Sequence, residues 1–156
     1  MTNYLITVDQ FHNLFIHDIP FLDVRSEDEF AKGGLPNSFN LPILNNHERH
    51  LVGICYKQKG KQVAIQLGHK LVCGELKQNR IQNWCDVIAN NPHTPIFCWR
   101  GGMRSNLARQ WVNETGIAVQ LIEGGYKALR RYLMQAIDEA AINLSLIHIS
   151  EPTRPY

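Results

Sequence analysis

The sequence predicts an α/β domain in which a central parallel sheet is flanked by helices. Short apolar runs of buried-strand type recur at 20–24, 95–98 and 118–122, and amphipathic helical segments separate them. Strands joined through helices pair in parallel, because each crossover returns the chain to the same end of the sheet. The composition agrees with one such domain: 156 residues, 44% of them apolar, 19% charged and a net charge of +2. These values exclude disordered, collagenous and strongly charged chains, and so small a charge does not identify a partner.

The elements follow in order. Thr7-Val8-Asp9-Gln10 is a capping box that opens a short helix carrying Phe11, Leu14 and Phe15. The run 20–24 is a strand, and Ser26-Glu27-Asp28-Glu29 is a second capping box, opening a helix over Phe30. Gly33-Gly34-Leu35-Pro36-Asn37 is a turn cluster, after which 38–41 forms a strand stopped by Pro42. From about residue 45 to 90 the period becomes helical. Val63, Ala64, Leu67, Leu71 and Val72 share one face and Ile81, Trp84, Val87 and Ile88 another, which predicts an insert of two helices. The strand 95–98 is broken by Gly101-Gly102, and a helix from Ser105 places Leu107, Ala108, Trp111 and Val112 together. After the strand 118–122, Gly124-Gly125 turns the chain into a long amphipathic helix with Leu129, Leu133, Ala136, Ile137, Ala140 and Leu144 on one face.

The domain is expected to span 1–144. The segment 145–156 carries neither period, resembles a translated sequencing-adaptor read-through and is expected to lie outside the fold. The chain has no apolar span of membrane length and its N-terminus lacks the pattern of a secretion signal, so a cytoplasmic protein is expected. Cys55, Cys73, Cys85 and Cys98 lie 18, 12 and 13 positions apart, too far for a C-x-x-C pair, and are expected to be free thiols. The seven histidines form no i, i+4 pair and have no cysteine at ligand spacing, so no metal is expected.

The chemistry concentrates in Phe97-Cys98-Trp99-Arg100-Gly101-Gly102-Met103-Arg104-Ser105, where a cysteine ends a buried strand and a glycine-containing loop leads into a helix. In a parallel sheet this junction lies at the carboxyl ends of the strands, where open α/β sheets bind ligands. Loop N–H groups can converge on one point and the following helix presents its positive end there. A thiolate at Cys98 would be stabilised by those groups and by Arg100 and Arg104, and would be a nucleophile at neutral pH. The same cradle would hold the anionic sulfur or selenium of a persulfide or perselenide. A buried core thiol flanked by solvated arginines is the plain alternative. Cys55, Cys73 and Cys85 have no such loop and are read as structural, with a resolving thiol among them left open.

Asp23-Val24-Arg25, the run Glu29-Phe30-Ala31-Lys32-Gly33-Gly34-Leu35-Pro36-Asn37-Ser38-Phe39-Asn40-Leu41-Pro42 and the Cys98 loop, in this order, resemble a rhodanese domain. Glu48-Arg49, Val52-Gly53, Tyr56-Lys57-Gln58, Leu67-Gly68-His69, the whole Cys98–Ser105 motif and Gly124-Gly125-Tyr126-Lys127-Ala128 are similar to the rhodanese domain of the tRNA 2-selenouridine synthase family. The resemblance implies replacement of the sulfur of wobble 2-thiouridine in tRNA by selenium from selenophosphate, through an S-geranylated intermediate. It further implies Cys98 as the chalcogen carrier, no bound cofactor, geranyl diphosphate as a substrate of the full-length family, and Gly68, His69 and Gly125 near the loop. In that family a P-loop domain follows and makes the main tRNA contact; G-x-x-x-x-G-K-[ST] does not occur in this chain, which reads as the rhodanese half.

Two other readings stay open at this level. Cys98, five residues, Arg104 and Ser105 satisfy the C-x5-R-[ST] spacing of cysteine-dependent phosphatases, whose loops bind a tetrahedral oxyanion. Selenophosphate is an anion of that shape. A catalytically inert binding module is the third reading. Asp23 and Arg25 could serve as an acid–base pair, but their place after a buried strand favours a structural tie. Lys127, Arg130 and Arg131, with Lys57, Lys59 and Lys61, are candidate basic patches for tRNA phosphates or simply solvated faces.

Overall fold

The computed structural model describes residues 3–150. Five short strands, β1 (Leu5–Ile6), β2 (Phe21–Asp23), β3 (Ser38–Asn40), β4 (Ile96–Phe97) and β5 (Leu121–Ile122), form one sheet in the order β1-β5-β4-β2-β3. All neighbouring pairs are parallel, as the alternation of strands and helices predicts. The helices are α1 (Phe11–Ile16), α2 (Glu27–Lys32), α3 (Asn46–Lys59), α4 (Lys61–Leu71), α5 (Gly74–Asn90), α6 (Met103–Glu114) and α7 (Gly125–Ser150). With every strand running the same way, the segments that follow β2, β4 and β5 gather at one edge of the sheet.

The period of the strands sorts the core into two layers. Leu22, Ile96 and Leu121 face a cluster with Val24, Trp84, Trp111 and Val112, while Phe21, Phe97 and Ile122 face Phe11, Leu14, Tyr126 and Leu129. Both capping boxes form: Gln10 Oε1 accepts from the Thr7 N–H at 3.0 Å and Glu29 Oε2 from the Ser26 N–H at 3.0 Å. A 3-10 turn at Val8–Gln10 precedes α1.

Four expectations are modified. The insert holds three helices, not two, because Gly60 at φ +86° breaks the chain between α3 and α4 and a second break at Cys73 separates α4 from α5. α3 was not separable by periodicity, since the one residue it buries is Glu48. β1 was missed: two residues are too few to show alternation. The strands at 95–98 and 118–122 shorten to two residues each. Finally, α7 continues unbroken through 145–150, although Ile137 and Leu144, expected on a buried face, are 61% and 67% exposed. Residues 151–156 of the expected tail lie outside the described residues. Among the described residues no helix is long and apolar enough to cross a membrane, and no His/Cys/Asp/Glu group could hold a metal ion.

Candidate active site

Cys98 leaves the end of the central strand β4 and is buried, 3% exposed. Its Sγ lies 3.2 Å from Ser105 Oγ, and that hydroxyl is also 3.2 Å from the Gly102 carbonyl oxygen, to which it can donate. Between them the chain curls. Among the described residues, no protein group accepts from the N–H groups of Trp99, Arg100, Gly101 or Gly102, and α6 starts at Gly102 without a side-chain cap. Buried or half-buried backbone donors rarely go without acceptors. Here a run of them surrounds one thiol beside the positive end of a helix, which is the arrangement that binds anions.

The turn after β5 holds the loop in place. The Tyr126 N–H donates to the Cys98 carbonyl at 2.8 Å and the Lys127 N–H to that of Trp99 at 3.2 Å. So close an approach depends on glycine. Gly125 has φ +61°, and a Cβ there would stand 2.4 Å from the Cys98 carbonyl oxygen and 2.6 Å from the Gly101 nitrogen. Gly101, at φ +70°, packs in turn against the Gly124 nitrogen and the Ile122 carbonyl oxygen.

The two arginines of the motif separate. Arg100 is exposed at the rim of the loop. The guanidinium of Arg104 instead grips Glu29 in α2 with a two-pronged pair, Nη1 to Oε2 at 2.7 Å and Nη2 to Oε1 at 3.1 Å. Arg49 of α3 adds a contact to Glu29 at 3.2 Å. Burial alone would push the Glu29 carboxyl up, but its bonds to Arg104 and the Ser26 N–H, with the charges of Arg104 and Arg49, bring it down from 4.5 to about 2. Burial disfavours the Arg104 charge too, and the Glu29 bond more than offsets this, raising Arg104 above its usual value.

A depressed carboxylate contributes stability above its unfolded value that disappears as pH falls through the folded one. Glu29 should therefore support the domain at pH 5 and above and lose that support between about pH 4.5 and 2. In urea melts, the stability of the wild type over Glu29→Gln should shrink across this window by about 2 kcal/mol. An unchanged difference from pH 6 to pH 2 would refute the coupling.

Asp23 and Arg25, expected near the site, are both fully buried and paired, with Arg25 Nη2 2.7 Å from Asp23 Oδ2. Arg25 Nη2 also donates to the Gly33 carbonyl at 2.8 Å, and its guanidinium lies 3.9 Å from the centre of the Tyr126 ring. The pair is a strut under the loop, not an acid and base open to substrate. Gly68 and His69 of α4 line a neighbouring apolar cavity of about 370 Å³ between the α3–α4 hairpin and α6, together with Val52, Ile65, Met103 and Leu107. No contact joins His69 to Cys98; its ring faces Trp111 at 6.5 Å. Sequence reasoning missed Glu29 as the partner of Arg104, seeing it only as the end of a capping box.

Residues 7–132 match the model of the rhodanese-like domain. The tRNA 2-selenouridine synthase of Marinobacter nauticus is 50% identical over 130 residues, which is 83% of this chain and 35% of that protein. That of Nitrosomonas europaea is 47% identical over 153 residues, 98% of this chain and 40% of that protein. The chain thus spans about two fifths of the length of these relatives. Among solved structures, the N-terminal domain of a putative ATP/GTP binding protein from Clostridium difficile 630 is 34% identical with a TM-score of 0.72, covering 83% of this chain and 98% of that one.

Proposed function

The chain belongs to the family of rhodanese-like domains, and from that premise we propose that it is the chalcogen-handling part of a tRNA 2-selenouridine synthase, with Cys98 as the nucleophile that carries selenium or sulfur. The reaction would convert wobble 2-thiouridine to 2-selenouridine, with selenophosphate as selenium donor, geranylated 2-thiouridine as intermediate and geranyl diphosphate as source of that group. It would take place in the cytoplasm and require the remaining length found in the relatives. The working unit is taken as 1–144, with 145–156 outside it; the exposure of Leu144, Leu146 and Ile147 supports that division.

The observation that carries this reading is the ring of free N–H groups from Trp99 to Gly102 around a buried thiol. Such donors stabilise a thiolate before reaction and the terminal anionic chalcogen after it. Ser105 can donate to the same sulfur, and Arg100 at the rim adds positive charge where an anionic donor enters. The apolar cavity beside Met103 supports a place for a hydrocarbon substituent next to the loop. The phosphatase spacing finds no comparable support, since the Arg104 fork that would bind phosphate oxygens is engaged by Glu29.

The test is intact-mass spectrometry of the wild type and Cys98→Ser after incubation with thiosulfate or selenophosphate. With thiosulfate, Cys98 Sγ bonds the outer sulfur, the S–S bond breaks and sulfite leaves with the electron pair. We expect a gain of one sulfur, or of one selenium with selenophosphate, in the wild type alone. Phosphate release from an aryl phosphate without such a gain would establish the phosphatase reading, and neither signal would mean an inert module.

A further inference from the structure

A second cleft, of about 520 Å³, lies on the α2–α7 side of the Cys98 loop and is walled by Lys32, Lys127, Arg130 and Arg131 around Trp99 and Tyr126. We infer that this cleft binds the sugar-phosphate backbone of an RNA strand and so presents the strand to the Cys98 loop. The inference rests on the function proposed above, whose substrate is an RNA, and adds the surface that holds it.

Three features point to this ligand. Lys127, Arg130 and Arg131 follow the i, i+3, i+4 spacing of one face of α7, and Lys32 at the end of α2 stands across the cleft from them. None of the four pairs with a carboxylate among the described residues. Glu29 also reaches the cleft, but its charge is answered by Arg104 and Arg49, so four cations remain without a counter-charge. An array of this kind suits a chain of phosphates.

The aromatic pair argues for a nucleic acid over an acidic peptide. Trp99 and Tyr126 stack at 5.4 Å, and an aromatic surface set among cations is how single-stranded nucleic acids are held, phosphates on the charges and bases on the rings. The cleft is also continuous with the reactive loop: Trp99 is the residue after Cys98, and the Lys127 N–H bonds the Trp99 carbonyl. A strand seated on the first two turns of α7 reaches the Cys98 loop without crossing the protein.

The alternative basic set, Lys57, Lys59 and Lys61, sits where α3 meets α4 and none of its members lines this cleft. It serves as the comparison. The experiment titrates the wild-type chain, Lys127→Ala/Arg130→Ala/Arg131→Ala and Lys57→Ala/Lys59→Ala/Lys61→Ala with a fluorescent anticodon stem–loop bearing 2-thiouridine, over a range of salt. Inorganic phosphate is the small-anion arm, and thiosulfate loading of Cys98 is read on the same samples.

The wild type is expected to bind with a clear salt dependence. The α7 variant should lose about tenfold or more in affinity at low salt and two to three units of slope in log Kd against log salt, at roughly 0.7 to 0.9 per phosphate released. It should still load sulfur on Cys98, and the α3–α4 variant should bind as the wild type does. The inference is overturned by no stem–loop binding in the wild type, by an α7 variant of unchanged affinity and slope, by equal loss in the α3–α4 variant, or by inorganic phosphate binding as tightly as the RNA. Failure of sulfur loading in the wild type would strike the proposed function alone.

Discussion

Asp23→Ala is expected to lower the melting temperature of the domain by about 10 °C or more, the largest loss of stability expected from a single side chain. Asp23 sits at the end of β2, opposite Phe97 of the central strand, and is fully buried. Its carboxylate accepts from Arg25 Nε at 3.0 Å, Arg25 Nη2 at 2.7 Å and the Arg25 N–H at 3.0 Å. Removing it leaves a guanidinium charge in the core with the Gly33 carbonyl as its best remaining acceptor. Breaking a buried pair in this way costs about 3–5 kcal/mol, and for a domain of this size each kcal/mol lowers the melting temperature by about 2–4 °C.

The pair itself need not be stabilising, because two desolvated charges often do no better than apolar groups of the same volume. Asp23→Leu/Arg25→Met should therefore recover part of the loss. Recovery should be incomplete: Arg25 also holds the Gly33 carbonyl and lies over Tyr126, and no methionine does either. Thermal melts followed by circular dichroism decide the matter. A single variant that melts within about 2 °C of the wild type would show that Asp23 is not a strut.

Local pattern made the sheet and the reactive loop readable before any coordinates. Strand and helix periods lie within ten or so residues, and the Cys98 motif is contiguous in the chain, so the thiol, the glycines and the helix start could be set together from spacing. What escaped depended on distance. Glu29 and Arg104 are 75 residues apart, and nothing in either neighbourhood marks them as partners. The expectation that both arginines would serve the thiolate failed for that reason: a buried carboxylate arriving from α2 engages one of them. Asp23 and Arg25 read correctly as a tie, because adjacent opposite charges after a buried strand have few other ways to be satisfied. The separate helix α3 was hidden because it packs mainly against α4 and shows no apolar face of its own.

Gly125 entered the candidate site only through resemblance, and the physical reason for it lies in backbone meeting backbone. Alanine there would keep a left-handed φ of +61°, which is unfavourable for an L-residue, and would drive its methyl group to 2.4 Å from the Cys98 carbonyl oxygen. That oxygen and the Gly101 nitrogen are main-chain atoms and cannot turn aside as a side chain does. The loop or the start of α7 must move, and either motion breaks the bonds from Tyr126 to Cys98 and from Lys127 to Trp99. The N–H groups from Trp99 to Gly102 would then no longer converge on the thiol. A displacement near 1 Å in a reacting constellation costs about 100-fold in rate, so Gly125→Ala should load sulfur from thiosulfate about 100-fold more slowly while the sheet persists. Gly53→Ala is the control, because a Cβ in the middle of α3 meets nothing within 4 Å and alanine favours the helix. It should load at the wild-type rate. Loading by Gly125→Ala within threefold of wild type would show that the clasp does not position the loop, and the fault would then lie in assigning the chemistry to the converging N–H groups.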